Sequence, residues 1–197
     1  FHQLLREKVV AQFHEWMTGT GILYLKEKLP QVSTVFTTHA TVLGRALAGN
    51  GRPLYSGLAS YNPDDLAREF NVVAKQSLEK LSAKHADAFI TVSEITAREC
   101  KHFLHREVDV ITPNGFEDSF VPPPGEYEQK RQLARSKLHQ VAAALFNAPL
   151  PDDTFFLATS GRYEFRNKGI DLVIDTLASL SKNPDGRTIV AFILVPA

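Results

Sequence analysis

The sequence predicts an α/β protein built on parallel sheets, and two observations carry that prediction. Short apolar runs of strand length alternate with longer stretches of helical period, the pattern of strands joined by crossover helices. Just past each apolar run, polar and ionisable residues collect, as they do at the carboxyl ends of open parallel sheets, where loops and helix N-termini converge on ligands.

The strand-like runs are residues 9–13, 32–38, 87–92, 108–112, 154–159 and 188–195. Between the second and third, Leu43-Gly44-Arg45-Ala46-Leu47 reads as the start of a helix. A long helix is predicted from residue 63 to about 84, with Asn62 as N-cap, Pro63 at the first helical position and Asp64 and Asp65 in the first turn, where the macrodipole favours anions. Residues 95–104 form a further helical run.

A break follows Asn114-Gly115, where Pro122-Pro123-Pro124-Gly125 stiffens the chain before a charged helical stretch over 126–146, itself followed by Pro149, Pro151 and Asp152-Asp153. The reading is a domain at 1–120, a crossover at 121–153 and the start of a second domain at 154–197. The chain opens with Phe1 inside an apparent amphipathic helix and stops after an apolar run; both ends read as cut inside a larger fold. Neither an internal repeat nor a low-complexity tract is visible.

Composition excludes several classes of function. At 44% hydrophobic and 22% charged residues the chain is ordinary globular material. Lys plus Arg and Asp plus Glu both number 22, so no global field draws it onto nucleic acid or an anionic membrane. No apolar run approaches the roughly 18 residues that span a bilayer, and no leader of secretory type is seen. The single cysteine, Cys100, has no second thiol to pair with, reads as a small core hydrophobe, and fits a cytoplasmic setting.

The strand ends supply the candidate chemistry. They carry His14-Glu15-Trp16, Thr38-His39-Ala40-Thr41, Ser93-Glu94, Pro113-Asn114-Gly115 and Ser160-Gly161-Arg162. In Ser160-Gly161-Arg162-Tyr163-Glu164-Phe165-Arg166-Asn167-Lys168-Gly169, two cations sit on a loop that leads into a helix beginning near Gly169. Backbone N–H groups, the helix dipole and the side-chain charges there would suit a diphosphate; Arg162 and Lys168 could equally be solvated loop charges. His39 and Arg45 could place an imidazole and a guanidinium over one anion or sugar, or His39 could be a hydrogen-bonded core residue.

His14-Glu15 lacks the second His of a helical zinc-protease motif, Ser93 lacks a Gly-x-Ser-x-Gly setting, and there is no P-loop or Gly-x-Gly-x-x-Gly. The seven histidines do not fall at ligand spacings, so no metal is expected.

Six motifs together resemble the glycogen synthases of the animal and fungal type, a family with bacterial relatives. They are Ala11-Gln12-Phe13-His14-Glu15-Trp16, Phe36-Thr37-Thr38-His39-Ala40-Thr41, Leu43-Gly44-Arg45, Thr91-Val92-Ser93-Glu94-Ile95-Thr96, Thr112-Pro113-Asn114-Gly115, and Gly161-Arg162-Tyr163-Glu164-Phe165 with Asn167-Lys168-Gly169. Their order and spacing are similar to the family's over nearly the whole chain.

The resemblance implies a GT-B architecture, with parts of two Rossmann-like domains whose parallel sheets face a cleft. It also implies a retaining glucosyltransferase that elongates an α-1,4-glucan from UDP-glucose, with no cofactor and no metal. Arg162 and Lys168 resemble the pair that neutralises the donor diphosphate, and His39 and Arg45 resemble residues facing the donor glucose and phosphates, all four on one pocket. His39, Arg162 and Lys168 are the expected catalytic residues, and Arg45 and Asn114 join them in substrate binding. UDP-glucose and glycogen are the implied partners, the full-length protein is expected to be a homo-oligomer, and the piece alone is expected to be inactive. Glu15, Glu94 and Glu164 are not assigned to catalysis, since retaining members of this fold rely on the leaving phosphate.

One departure stands out. Where the family reads His-Glu-Phe-Gln in the crossover, a segment associated with its glucose 6-phosphate activator, this sequence reads Gly125-Glu126-Tyr127-Glu128, which puts that control in question. The alternatives are another GT-B glycosyltransferase, using ADP-glucose or a different acceptor, and a non-catalytic glucan-binding relative.

Overall fold

The structure, a computed structural model, describes residues 8–182 and 186–196. The amphipathic helix expected at the chain's start lies largely outside them. Two compact units divide after Gly115.

In the first unit, strands β1 (Val10–His14), β2 (Ser33–Thr38), β3 (Ala88–Thr91) and β4 (Val110–Ile111) form one sheet in that order, and every pairing is parallel. The register sets Phe13 beside Phe36 and Phe36 beside Phe89, and the last two rings stack with centroids 5.7 Å apart. All four expected strands are present. The fourth is shorter than its apolar run, although Asp109 and Thr112 still donate their N–H groups to the Phe89 and Thr91 carbonyls.

Helices α1 (Glu15–Thr18), α2 (Thr20–Lys28), α3 (Val42–Gly49), α4 (Pro63–Glu69), α5 (Val73–His85) and α6 (Glu94–Phe103) join the strands. Their apolar faces meet the sheet in a core that includes Ile22, Leu43, Leu47, Ala83 and Phe103. Cys100 is wholly buried in that core, and burial pushes its thiol well above the usual range.

The long helix expected over 63–84 is two helices. Its start is as read, with the Asn62 side chain accepting from the Asp64 and Asp65 N–H groups. The chain then turns at Asn71, whose φ of 55° is left-handed, a conformation Asn tolerates better than most residues. The Val72 N–H closes the turn on the Ala67 carbonyl at 2.8 Å. The break lets α4 bury Leu66 and Ala67 while α5, re-aimed, buries Gln76, Glu79, Ser82 and Ala83.

The second unit holds α7 (Pro124–Phe146), β5 (Phe155–Ser160), α8 (Ile170–Leu180) and β6 (Ile189–Leu194), with β5 and β6 parallel. α7 begins two residues before the charged stretch that predicts it, because Pro124 fits the first helical position, and it ends at left-handed Asn147. It belongs with the strands that follow it. Arg135 donates to the Asp152 and Thr154 carbonyls at 2.7 Å and lies over the Phe156 ring, while His139 reaches the Leu150 carbonyl. Among the described residues, no helix is long and apolar enough to cross a membrane.

Candidate functional site

Each unit carries its candidate residues at the carboxyl ends of its strands. In the first, parallel pairing sets His14 opposite Thr37, so the residues leaving β1 and β2 emerge side by side. Nδ1 of His14 then lies 3.0 Å from Nε2 of His39. Glu15 follows with φ 63°, a strained backbone for a residue with a long side chain. Its carboxylate accepts the His39 backbone N–H at 3.1 Å and faces the Arg45 guanidinium at 3.7 Å. His39 and Arg45 are thus brought together, as the sequence suggests, and Glu15 is what joins them.

Arg45 is aimed by the way α3 is anchored. Thr41 caps the helix by accepting from the Gly44 N–H at 3.0 Å, and its hydroxyl donates to Glu99 at 2.6 Å. Tyr55 donates to the other Glu99 oxygen at 3.0 Å. Burial pushes the Tyr55 hydroxyl up to about 12, with the Glu99 charge adding to the effect.

Glu79, fully buried, accepts the Val42 N–H at 3.0 Å. Burial pushes its carboxyl up to about 8 despite that hydrogen bond, so near neutrality it is held mainly protonated. Beside this anchor lies an open hollow of about 290 Å³ lined by Glu15, Trp16, Val42, Arg45 and Lys75 among others, with the Lys75 ammonium 5.5 Å from the Trp16 ring centroid.

In the second unit the cationic loop leaves β5 at Ser160. Gly161 extends the strand pairing through its N–H to the Leu194 carbonyl. A Cβ at Gly161 would lie 3.3 Å from the Lys168 side chain, so the absence of a side chain there lets the lysine stem fold back across the loop. The loop is closed by Lys168 N–H to the Glu164 carbonyl at 2.9 Å and Ile170 N–H to the Phe165 carbonyl at 3.0 Å. Gly169, at φ 65°, is the N-cap of α8. Arg162 and Lys168 line one shallow depression with Ser160, Ile170 and Leu194. Arg162 is 63% exposed and pairs with Glu164 at 2.8 Å, a surface pair that an incoming anion can replace at little cost.

Asn114 sits exposed on the loop after β4 and is not part of either grouping. Ser93 is a cap, accepting the Thr96 N–H of α6. Sequence reasoning placed His14 and Glu15 at the end of β1 but gave them no role in the site. Their signal was positional: they leave β1 where His39 leaves the adjacent β2. Among the described residues there is no group of three side chains placed to hold a metal ion.

Comparison with known proteins then settles the kinship. The family model described as glycogen synthase matches residues 1–197. The chain belongs to the glycogen synthase family. Among the members of this family that it resembles, a glycogen (starch) synthase of Caenorhabditis elegans is 39% identical over 200 residues, which is 96% of the chain and 30% of that protein. One from Neurospora crassa is 37% identical over 98% of the chain and 28% of its own length. The liver form of Mus musculus is 36% identical over 96% of the chain and 28% of its own length. The chain therefore spans about 30% of the length of these glycogen synthase relatives, and the match runs through both units.

Proposed function

We propose that the full-length protein is a retaining glucosyltransferase that elongates an α-1,4-glucan, glycogen, from UDP-glucose. One observation carries the reading: in a chain of this family, Arg162 and Lys168 line one depression beside the N-terminus of α8 at the end of β5. Two cations and the helix dipole favour a diphosphate there.

As the bond from glucose C1 to the diphosphate oxygen breaks, negative charge grows on the departing UDP. Arg162 and Lys168 then stabilise the transition state more than the ground state. The glucan 4-hydroxyl attacks C1 on the face the phosphate leaves, and its proton passes to the phosphate, so no carboxylate nucleophile is needed. His39 and Arg45 face the donor glucose and phosphates, and Asn114 adds to substrate binding.

The same reading takes the architecture to be GT-B, with residues 1–120 the later part of the N-terminal Rossmann-like domain, 121–153 a crossover and 154–197 the start of the nucleotide-sugar domain. It makes the protein cytoplasmic, homo-oligomeric and independent of metal or other cofactor. The family match and the parallel sheet in each unit support it.

The test is to assay the full-length enzyme with UDP-glucose and ADP-glucose side by side on glycogen. UDP-glucose is the expected donor. Arg162→Ala and Lys168→Ala should each lower turnover about 100-fold or more, and wild-type rates in both variants would refute the assignment.

A further inference from the structure

We propose that His14 is a positioning residue for His39, fixing by an imidazole–imidazole hydrogen bond the ring orientation with which His39 meets the donor and coupling its tautomer to that of His14. The inference rests on the donor-facing role proposed above for His39.

The two rings meet nitrogen to nitrogen at 3.0 Å, with centroids 5.3 Å apart and planes tilted by 32°. This is an edge contact through one hydrogen bond rather than face stacking. One nitrogen must donate and the other accept, because two N–H groups, or two lone pairs, aimed at each other repel. Either way Nε2 of His39 is taken by His14, and Nδ1 is the ring nitrogen left for a ligand. For the neutral ring, Nδ1 carries a proton if Nε2 accepts and a lone pair if Nε2 donates. The two tautomers are thereby coupled: when His14 donates, Nδ1 of His39 is a donor, and when His14 accepts, it is an acceptor.

The backbone beneath the ring is already fixed, since the His39 N–H is held by Glu15 and Glu15 is in turn faced by Arg45. What His14 adds is control of the side chain alone. The pairing of β1 with β2 makes this contact a product of sheet register. His14 is exposed, so water competes for its hydrogen bond; the effect therefore falls on reaction geometry and not on stability.

The test uses the full-length enzyme and four variants: His14→Phe, His14→Asn, His39→Ala, and the double variant His14→Phe with His39→Ala. Asn keeps a hydrogen-bonding atom near the position of Nδ1, and Phe keeps the ring without one. The expected result is that His14→Phe lowers kcat about 10-fold while the KM for UDP-glucose stays within about twofold, as loss of a transition-state interaction requires. His14→Asn recovers most of the rate. The double variant is no slower than His39→Ala, because coupled residues are not additive. Thermal midpoints match wild type throughout, and if Phe perturbs folding, the Asn variant and His14→Gln, whose amide lies beyond the position of Nδ1 and near that of Nε2, carry the same comparison. Wild-type kcat in His14→Phe, multiplicative losses in the double variant, or no recovery with Asn would overturn the proposal. A wild-type rate in His39→Ala would instead remove the donor-facing role on which it rests.

Discussion

Replacing Gly44 by Ala sets helix propensity against packing, and the structure says which wins. Gly44 is in the first turn of α3, where Ala is favoured over Gly by about 1 kcal/mol in an open helix. A Cβ there, however, would lie 2.1 Å from Glu99 Oε2 and 2.7 Å from Thr41 Oγ1. The Glu99 carboxylate is not free to swing away, being buried and held by Thr41 and Tyr55. Moving it breaks the Thr41 hydrogen bond to a charged group, at about 1.5–3 kcal/mol, and disturbs the Thr41 cap, at about 1 kcal/mol. The net expectation is a loss of about 2 kcal/mol, which for a cooperative unit the size of residues 1–115 lowers the thermal midpoint by roughly 8 °C. The measurement is the thermal midpoint of the full-length protein with and without the substitution. A variant as stable as wild type, or more stable, would refute the claim that Thr41 and Glu99 close tightly over Gly44.

Glu79 offers a pH test with a definite sign. Its carboxyl ionises near 4.5 in the unfolded chain and at about 8 in the fold, so its contribution to stability is full below about 4.5 and is lost as pH rises through about 8. Across that window wild type should lose stability relative to Glu79→Gln, with slopes differing by up to about 1.4 kcal/mol per pH unit; urea midpoints measured from pH 5.5 to 8.5 check this, and parallel curves would contradict it. At Asn71 the left-handed backbone predicts that Gly is tolerated while Val costs about 1–2 kcal/mol, again read from unfolding midpoints.

The strands were legible because each is a short apolar run with polar residues just past its end, whether the run is mostly buried, as in β2, or alternately exposed, as in β1. The start of α4 was legible for a similar reason, its cap, proline and acidic first turn being local chemistry. Its end was not. Asn71 interrupts a helical period with neither Gly nor Pro to mark it, and only packing against the core shows why the chain turns there. β4 kept two residues of its run because strand length depends on what the neighbouring strand can pair with.

The site divides in the same way. The cationic loop and the start of α8 could be placed from Gly161, Gly169 and the charges between them. Nothing in the sequence singles out Glu79 and Glu99, yet both are buried against the start of α3, a fact of tertiary packing. His14 and Glu15 were weighed against a protease motif they do not fit. Their partners, His39 and Arg45, lie 25 and 30 positions away in sequence and come close only through the register of β1 on β2.

The proposed reaction depends on a diphosphate held by Arg162 and Lys168. Binding of UDP and of uridine to the full-length protein, compared by calorimetry in wild type and in the double variant Arg162→Ala with Lys168→Ala, isolates that contribution. Wild type is expected to prefer UDP strongly, and the preference to collapse in the double variant while uridine binding holds. An unchanged ratio of the two affinities would contradict it.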